Sequence, residues 1–489
     1  MKPRSIEEQN RAMSEAYWTL WNPEEQARID RDIEAHRKAD GVFRVAGIPE
    51  GADVRVEQTS HAFIFGAHIF NFDQLGSDEC NAKYKELYGT LFNSATIAFY
   101  WRCFEAEEGK PRFAAKFEDT AEYWNKVAEP KKEPHWRRPA TDPVVAFCKS
   151  KGIRLHGHPL TWGNYHWHYP DWVLDKLPAA VRAKLVADPN HCVNPVRNLF
   201  DPFSPAEIEA MLPEFVDEFN LLMAKRILEI ARHYKGTLDS WDVVNESAVD
   251  FEQGRMIPGD GICKSTYGLM PGDYTYRSFQ IADGIFPKSV KLNINDYHLE
   301  DSYREQTLDL RKRGCKIDIM GAQMHLFNPQ TCLDIADGKS SVQSPETVRT
   351  TMERISRAGL PIHLSEITIT APPCEGSPGR GEDIQAVIAR NLYRLWFSLS
   401  PMMGITWWNV VDDCGAPGEP SVSGLFKRNM EPKQSFFALN DLIRNEWMTR
   451  ADVRAGRGGE VAFRGFRGGY KLTWKDAEGK ERTAAVTLG

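Results

Sequence analysis

Residues 241–246 read WDVVNE, a compact apolar run that closes on an amide and a carboxylate side by side, Asn245 and Glu246. In a (β/α)8 barrel the reacting groups sit where strands end and loops begin, so an Asn-Glu pair closing a buried strand stands where chemistry happens. A second such run, PIHLSEITI at residues 361–369, carries Glu366 at a similar strand end. Most of the 68 acidic residues are expected to be solvated surface charge. A Glu flanked by Val, Ile and Leu is different, because burying it is costly unless it is paired or put to use. Two carboxylates on two strands point to glycoside hydrolysis. One carboxyl group protonates the leaving oxygen while the other stabilises or attacks the oxocarbenium-like centre.

Working outward from this stretch, eight short apolar runs alternate with helical segments: FIFGAH (63–68), SATIAF (94–99), IRLHGH (153–158), SWDVVN (240–245), VKLNIN (290–295), IDIMGAQ (317–323), IHLSE (362–366) and GITWW (404–408). Strand-helix alternation repeated eight times predicts an α/β fold, a (β/α)8 TIM barrel over residues 55–445. An open doubly wound sheet is the architectural alternative, weakened by the lack of a GxGxxG turn after the first strand. About 80 residues separate the third and fourth runs, including NYHWHYPDWV and a Pro-rich stretch from Asp188 to Pro213. Long loops at the active face of a barrel shape clefts.

Residues 1–54 read as an extension. Asn22 is the expected N-cap of a helix with Pro23 at its first position and Gly41 past its end. VFRVAGIPEGADVRVEQTS then alternates across a Pro-Glu-Gly-Ala-Asp turn, which predicts a small hairpin at the bottom of the barrel. Residues 446–489 carry period-2 runs with Gly-rich turns and no crossover helix, and are expected to form a small C-terminal β appendage.

At 489 residues with 42% hydrophobic content the chain can bury a sizeable core. The net charge of −7 gives no electrostatic footprint for nucleic acid or an anionic membrane. Without an apolar run of about 18 residues no spanning helix is expected. The N-terminal MKPRSIEEQN lacks the apolar core of a secretory signal, so the protein is expected to be cytoplasmic, or secreted or periplasmic after loss of a leader. Nine scattered Cys without a CxxC pair favour free thiols over a disulfide framework or a zinc site. Fourteen Trp and fifteen Tyr exceed ordinary packing needs and suit stacking on sugar rings.

Further polar and aromatic residues fall at the same strand ends: His156, His158 and Trp162 after the third run, Asn295, Asp296 and Tyr297 after the fifth, Gln323 and His325 after the sixth, Trp407 and Trp408 after the eighth. Packing alone explains each one singly but not their collection on one predicted face.

As an ordered set, GHPLTW (157–162), WDVVNE, KLNINDYHLE (291–300), GAQMH (321–325), IHLSEITI (362–369) and GITWWNVVDD (404–413) resemble glycoside hydrolase family 10, the retaining endo-β-1,4-xylanases. The resemblance runs from about residue 55 to residue 445. It implies hydrolysis of β-1,4-linked xylan or xylo-oligosaccharides by double displacement, with another β-linked plant or algal glycan, or a catalytically inactive carbohydrate-binding barrel, as alternatives. By the same resemblance Glu246 is the acid/base, Glu366 the nucleophile, Asn245 the partner of the sugar 2-hydroxyl and His325 the residue orienting the nucleophile. His158, Gln323 and Trp408 line the same subsite, with Trp162, Asn295 and Tyr297 beside them. No metal or cofactor is called for.

Departures from the family pattern stand out as well. The family carries an Asn and a Lys before a Trp at the end of the second strand, where this chain reads ATIAFYW and Tyr100 takes the Lys position. Gly163, Asn164 and Tyr165 replace the usual His-Ser-Gln after Trp162, and DDCGAPGEPSVSG (412–424) lacks a second Trp. Aromatic surface is thus expected where the family grips xylose with polar groups.

Overall fold

The computed structural model describes residues 2–180, 183, 199–258, 261–377 and 379–489. Its strands in chain order are β1 (Lys38–Arg44), β2 (Asp53–His61), β3 (Ile64–His68), β4 (Ser94–Ala98), β5 (Arg154–His158), β6 (Thr161–Trp162), β7 (Ser240–Asn245), β8 (Ile262–Ser265) and β9 (Gly268–Pro271). There follow β10 (Lys291–Asp296), β11 (Ile319–Gln323), β12 (Ile362–Ile367), β13 (Met402–Trp407), β14 (Arg450–Arg454), β15 (Glu460–Phe466), β16 (Gly468–Lys475) and β17 (Glu481–Leu488).

Eight of these, β3, β4, β5, β7, β10, β11, β12 and β13, pair in parallel in that order, and β13 closes back onto β3. Closure makes the sheet a barrel and rules out the open alternative. Each strand was legible as a near-continuous apolar run because a barrel strand is covered on both faces, by interior side chains and by helices. β3, β4, β7, β11 and β12 are buried at every residue.

Two irregularities set the interior pattern. Between β10 and β7 the register passes from Asn293↔Asp242 to Ile294↔Val244, and between β11 and β12 from Gly321↔His363 to Gln323↔Glu366. Each inserts one extra residue, in β7 and in β12. Side chains three positions apart, Asp242 with Asn245 and His363 with Glu366, thereby both face the barrel interior, which strict alternation forbids.

Asn22 caps the helix Pro23–Arg37 by accepting from the backbone N–H of Glu25, with Pro23 in the first turn. The helix ends at Arg37, however, and Gly41 lies inside β1 rather than past a helix end. Arg37 donates to the carbonyls of Phe397, Leu399 and Met402, which ties this extension to the loop before β13.

The expected hairpin does not form. β1 pairs with β15, and β2 lies between β14 and β16, so strands from the two ends of the chain share sheets. Together they enclose a second core of Val54, Val56, Val461, Tyr470, Leu472 and Trp474. This unit sits beside the amino ends of β3 and β13, where Phe466 packs near Phe397, away from the strand ends that carry the acids.

The helices Pro205–Met211 and Phe215–Tyr234 fill the later part of the long connection between β6 and β7. Residues 188–198 of the Pro-rich stretch lie outside the described residues. Among the described residues no helix is long and apolar enough to cross a membrane.

Candidate active site

At the carboxyl ends of the barrel strands a cavity of about 610 Å³ is lined by Tyr100, His158, Trp162, Asn245, Glu246, Tyr297, Gln323, His325, Glu366 and Trp408. Of the residues expected from sequence at the strand ends, Asn295, His156, Asp296 and Trp407 do not line it; Asn295 is buried just beneath and holds the others together. Its Nδ2 donates to Asn245 Oδ1 and to Glu366 Oε1, each at 2.8 Å, while its Oδ1 accepts from Ser365 Oγ at 2.5 Å. The close fit explains the glycine in GAQ, since a Cβ on Gly321 would stand 2.3 Å from Asn295 Oδ1.

The two carboxylates meet at one amide. Gln323 Nε2 lies 3.1 Å from Glu246 Oε1 and 3.1 Å from Glu366 Oε1. The same nitrogen and Asn295 Nδ2 occupy Asn245 Oδ1, leaving the amide nitrogen of Asn245 as the end offered to the cavity. Glu366 is further flanked by His158 Nε2 at 3.8 Å and His325 Nε2 at 3.4 Å. His325 is oriented by Thr368 Oγ1, 3.0 Å from its Nδ1, and by its stack on Phe327.

Beneath them a polar layer fills the barrel. The Asp242 carboxylate accepts from His158 Nδ1 at 2.7 Å and from His156 Nε2 at 2.9 Å. Burial works against its charge, but these two imidazoles hold it well below the usual carboxylate range. His156 therefore belongs to the support of the site and does not line the cavity. Trp407 also turns away, donating to the Asn409 carbonyl at 2.8 Å and packing near Tyr393 of the outer helix layer.

Glu246 is held differently from Glu366. Its backbone has φ of +54°, in the left-handed region that a residue with a side chain seldom adopts, and its N–H donates to the Asn295 carbonyl at 2.8 Å. Trp162 Nε1 donates to Oε2 at 3.0 Å. Burial, then the charge of Glu366, then that of Asp296 push the Glu246 carboxyl up to about 8. Asp296 does not line the cavity. It accepts from the backbone N–H groups of Ser247 and Ala248 at 2.7 and 2.8 Å, fixing the turn that follows Glu246, and burial raises it to about 6.

Several residues at the site were not singled out from sequence. Tyr267, in the turn between β8 and β9, donates to the Tyr297 hydroxyl at 2.8 Å, and its own hydroxyl helps to lower the Glu246 carboxyl. No spacing signal leads to it, because it arrives on an antiparallel excursion beyond β7. Phe70 joins Tyr100, Trp162 and Trp408 in an aromatic cluster, the surface expected from the ATIAFYW departure. Against that cluster lies WRRP (136–139), a charged pair between Trp and Pro whose sequence was the available signal. Arg138 stacks on Tyr100, its guanidinium carbon 4.1 Å from the ring centroid. Arg137 bonds His68 and Asn409, each at 3.0 Å, and lies 3.5 Å from Glu419.

The profile of the family described as Glycosyl hydrolase family 10 matches residues 120–442. The match opens beyond β3 and β4, the part of the barrel that carries the Tyr100 departure. Endo-1,4-beta-xylanase C of Paenibacillus barcinonensis is 25% identical over 339 residues, 63% of this chain and 27% of that protein. Anti-sigma-I factor RsgI6 of Acetivibrio thermocellus is 24% identical over 428 residues, 87% of this chain and 42% of that protein. The chain thus spans less than half the length of either relative. Among solved structures, xylanase 10B from Thermotoga petrophila in complex with xylobiose is similar in fold, with a TM-score of 0.52 over 79% of this chain and 95% of that one at 18% identity.

Proposed function

Because the chain belongs to glycosyl hydrolase family 10, we propose that it is a retaining β-glycosidase acting on β-1,4-linked xylan or xylo-oligosaccharides, with Glu246 as acid/base and Glu366 as nucleophile. One observation carries this reading: a single donor nitrogen, Gln323 Nε2, stands 3.1 Å from an oxygen of each acid. The two oxygens are therefore separated by no more than twice that distance. Inverting enzymes need ~6.5 Å or more to fit a water between the sugar and the base, whereas retaining enzymes hold their carboxyl groups ~5 Å apart for direct attack.

The environments divide the roles. With its carboxyl raised to about 8, Glu246 carries a proton at neutral pH and can give it to the departing glycosidic oxygen. Glu366, fixed by Asn295 and Gln323, attacks the anomeric carbon and forms a glycosyl ester as the C–O bond to the leaving group breaks. Esterification removes the Glu366 charge that helped to hold the proton on Glu246. The second acid then ionises more readily and takes a proton from the water that cleaves the ester.

Glu366→Ala tests the assignment on an activated aryl β-xyloside. Turnover should be lost, and azide should restore part of it by attacking from the vacated side to give a glycosyl azide of inverted configuration. A variant that stays dead with azide, or keeps the wild-type product anomer, would refute the nucleophile. The second reading is a carbohydrate-binding barrel without turnover; a relative named as an anti-sigma-I factor rather than a hydrolase aligns with 87% of this chain. Release of the aryl alcohol by the wild-type protein rules it out.

A further inference from the structure

Arg138 is the unbalanced charge of the site. Its guanidinium lies between two rings, with the carbon 4.1 Å from the Tyr100 centroid and 4.7 Å from the Phe70 centroid. It has one hydrogen bond, from Nη1 to the Arg137 carbonyl at 2.8 Å, and its Nε has no partner. Among the described residues no carboxylate lies within ion-pair distance of it. The neighbouring arginines are more fully engaged: Arg112 pairs with Glu118 and Asp119, and Arg226 donates to the carbonyls of Phe99, Pro159 and Leu160.

The groups around Arg138 do not supply the missing anion. Glu419, which walls this end of the cavity, is taken up by Arg137 at 3.5 Å, by Asn409 Nδ2 at 2.9 Å and by the N–H of Ala416 at 2.9 Å. His68 is neutral, because burial and then the two arginines hold its pKa well below the ordinary value, and its Nε2 faces Arg137. Two guanidinium groups thus face one carboxylate, leaving an excess of one positive charge. Burial raises the Tyr100 hydroxyl, and among the charges acting on it Arg138 comes ahead of Glu366. The corner is therefore cationic next to a cavity wall.

We propose that Arg138 binds a carboxylate carried by the glycan, so that the substrate is an acidic β-glycan bearing uronic acid units. This rests on the glycosidase reading above and names its substrate class. A guanidinium presents its donors in a planar fork that matches a carboxylate in two parallel bonds, and all but one of Arg138's donors are uncommitted. The flanking rings exclude water from its faces and hold it by cation–π attraction, so the fork is prearranged without a competing protein anion.

The test compares kcat/KM of the full chain on a uronic-acid-branched xylo-oligosaccharide and on the same compound with its carboxyl reduced to the alcohol. A sulfate ester of the same backbone forms a third arm. Wild type should prefer the acid to its reduced form at least tenfold, and prefer it to the sulfate ester, whose tetrahedral oxygens fit the fork less well. In Arg138→Gln the acid-to-alcohol ratio should fall towards one whatever happens to the absolute rates, and Arg138→Lys should restore only part of it. A wild-type ratio near one overturns the proposal without recourse to any variant, as does an unchanged ratio in Arg138→Gln. A sulfate ester processed better than the uronate overturns the carboxylate assignment. Failure to turn over any of these or an aryl β-xyloside would instead sink the glycosidase reading itself.

Discussion

Glu246→Gln is expected to gain stability relative to the wild type as the pH rises from about 4.5 to about 8. The cause is the folded-state pKa of this carboxyl, raised from 4.5 to about 8 by burial and by the charges of Glu366 and Asp296. Below 4.5 the group is protonated in the folded and the unfolded chain, and the two states differ in nothing that depends on pH. Between the two values the unfolded chain releases the proton while the folded chain keeps it, so stability falls with each unit of pH; above about 8 the loss is complete. At ~1.4 kcal/mol per unit, and discounting for a carboxyl that faces an open cavity, the loss amounts to a few kcal/mol. A chain of this length has an unfolding entropy of roughly 1 kcal/mol per kelvin, so Tm should shift by ~2–4 °C. Gln cannot accept on both sides, and one of Trp162 and Gln323 would meet an amide N–H. That penalty is the same at every pH, so the quantity to read is the slope of the Tm difference rather than its sign. Thermal melts of both proteins from pH 4.5 to 9 give it directly. A difference that stays flat, or shrinks as pH rises, would mean that Glu246 titrates near its ordinary value and is no poised acid.

Tyr267→Phe removes a hydrogen bond that lowers the Glu246 carboxyl, so the alkaline limb of the kcat/KM profile should move to higher pH, and a limb that stays or moves down would remove Tyr267 from the site. Deleting residues 450–489 strips β1 of β15 and β2 of β14 and β16 and opens the second core. The shortened chain should lose several degrees of Tm or fail to stay soluble; a truncation that melts like the full chain would show that this unit gives the barrel nothing.

The barrel was legible because each of its strands is buried on both faces and so appears as an uninterrupted apolar run, and because the polar exceptions fall where such runs end. Glu246 and Glu366 stood out for that reason. The β unit at the chain ends was harder to read. β1 and β2 each alternate properly and flank a turn, which locally is the pattern of a hairpin, but their partners lie about 400 residues away in β14, β15 and β16. Period-2 patterning identifies a strand and says nothing of which strand it pairs with. Gly41 is deceptive for a related cause: it looks like a helix stop, while in β1 its small size leaves room for Phe43 and Leu488, which a Cβ would meet at 2.7 Å. Tyr267 and Arg138 reach the site from loops, where no period exists to aim a side chain.

What no periodicity rule yields is the placing of the acids themselves. Asp242 and Asn245 are three apart, as are His363 and Glu366, and on regular strands one of each pair would point into the helix layer. The extra residue in β7 and in β12 turns both inward, so that each strand gives the barrel a deep polar residue and a shallow one. The deep residues form a supporting floor: Asp242 holds His158, which stands 3.8 Å from Glu366, and His363 bonds Thr406 Oγ1 at 2.8 Å. The shallow residues meet at Gln323. The positive φ of Glu246 continues the same device past the end of the strand, at a cost of roughly 1–3 kcal/mol. Such an outlier persists because its surroundings overdetermine it: Asn295 takes the Glu246 N–H, and Asp296 takes the next two. Asn295 and Asp296 therefore act together on the geometry of both acids, one through the Glu246 backbone and the Glu366 carboxylate, the other through the turn that follows Glu246.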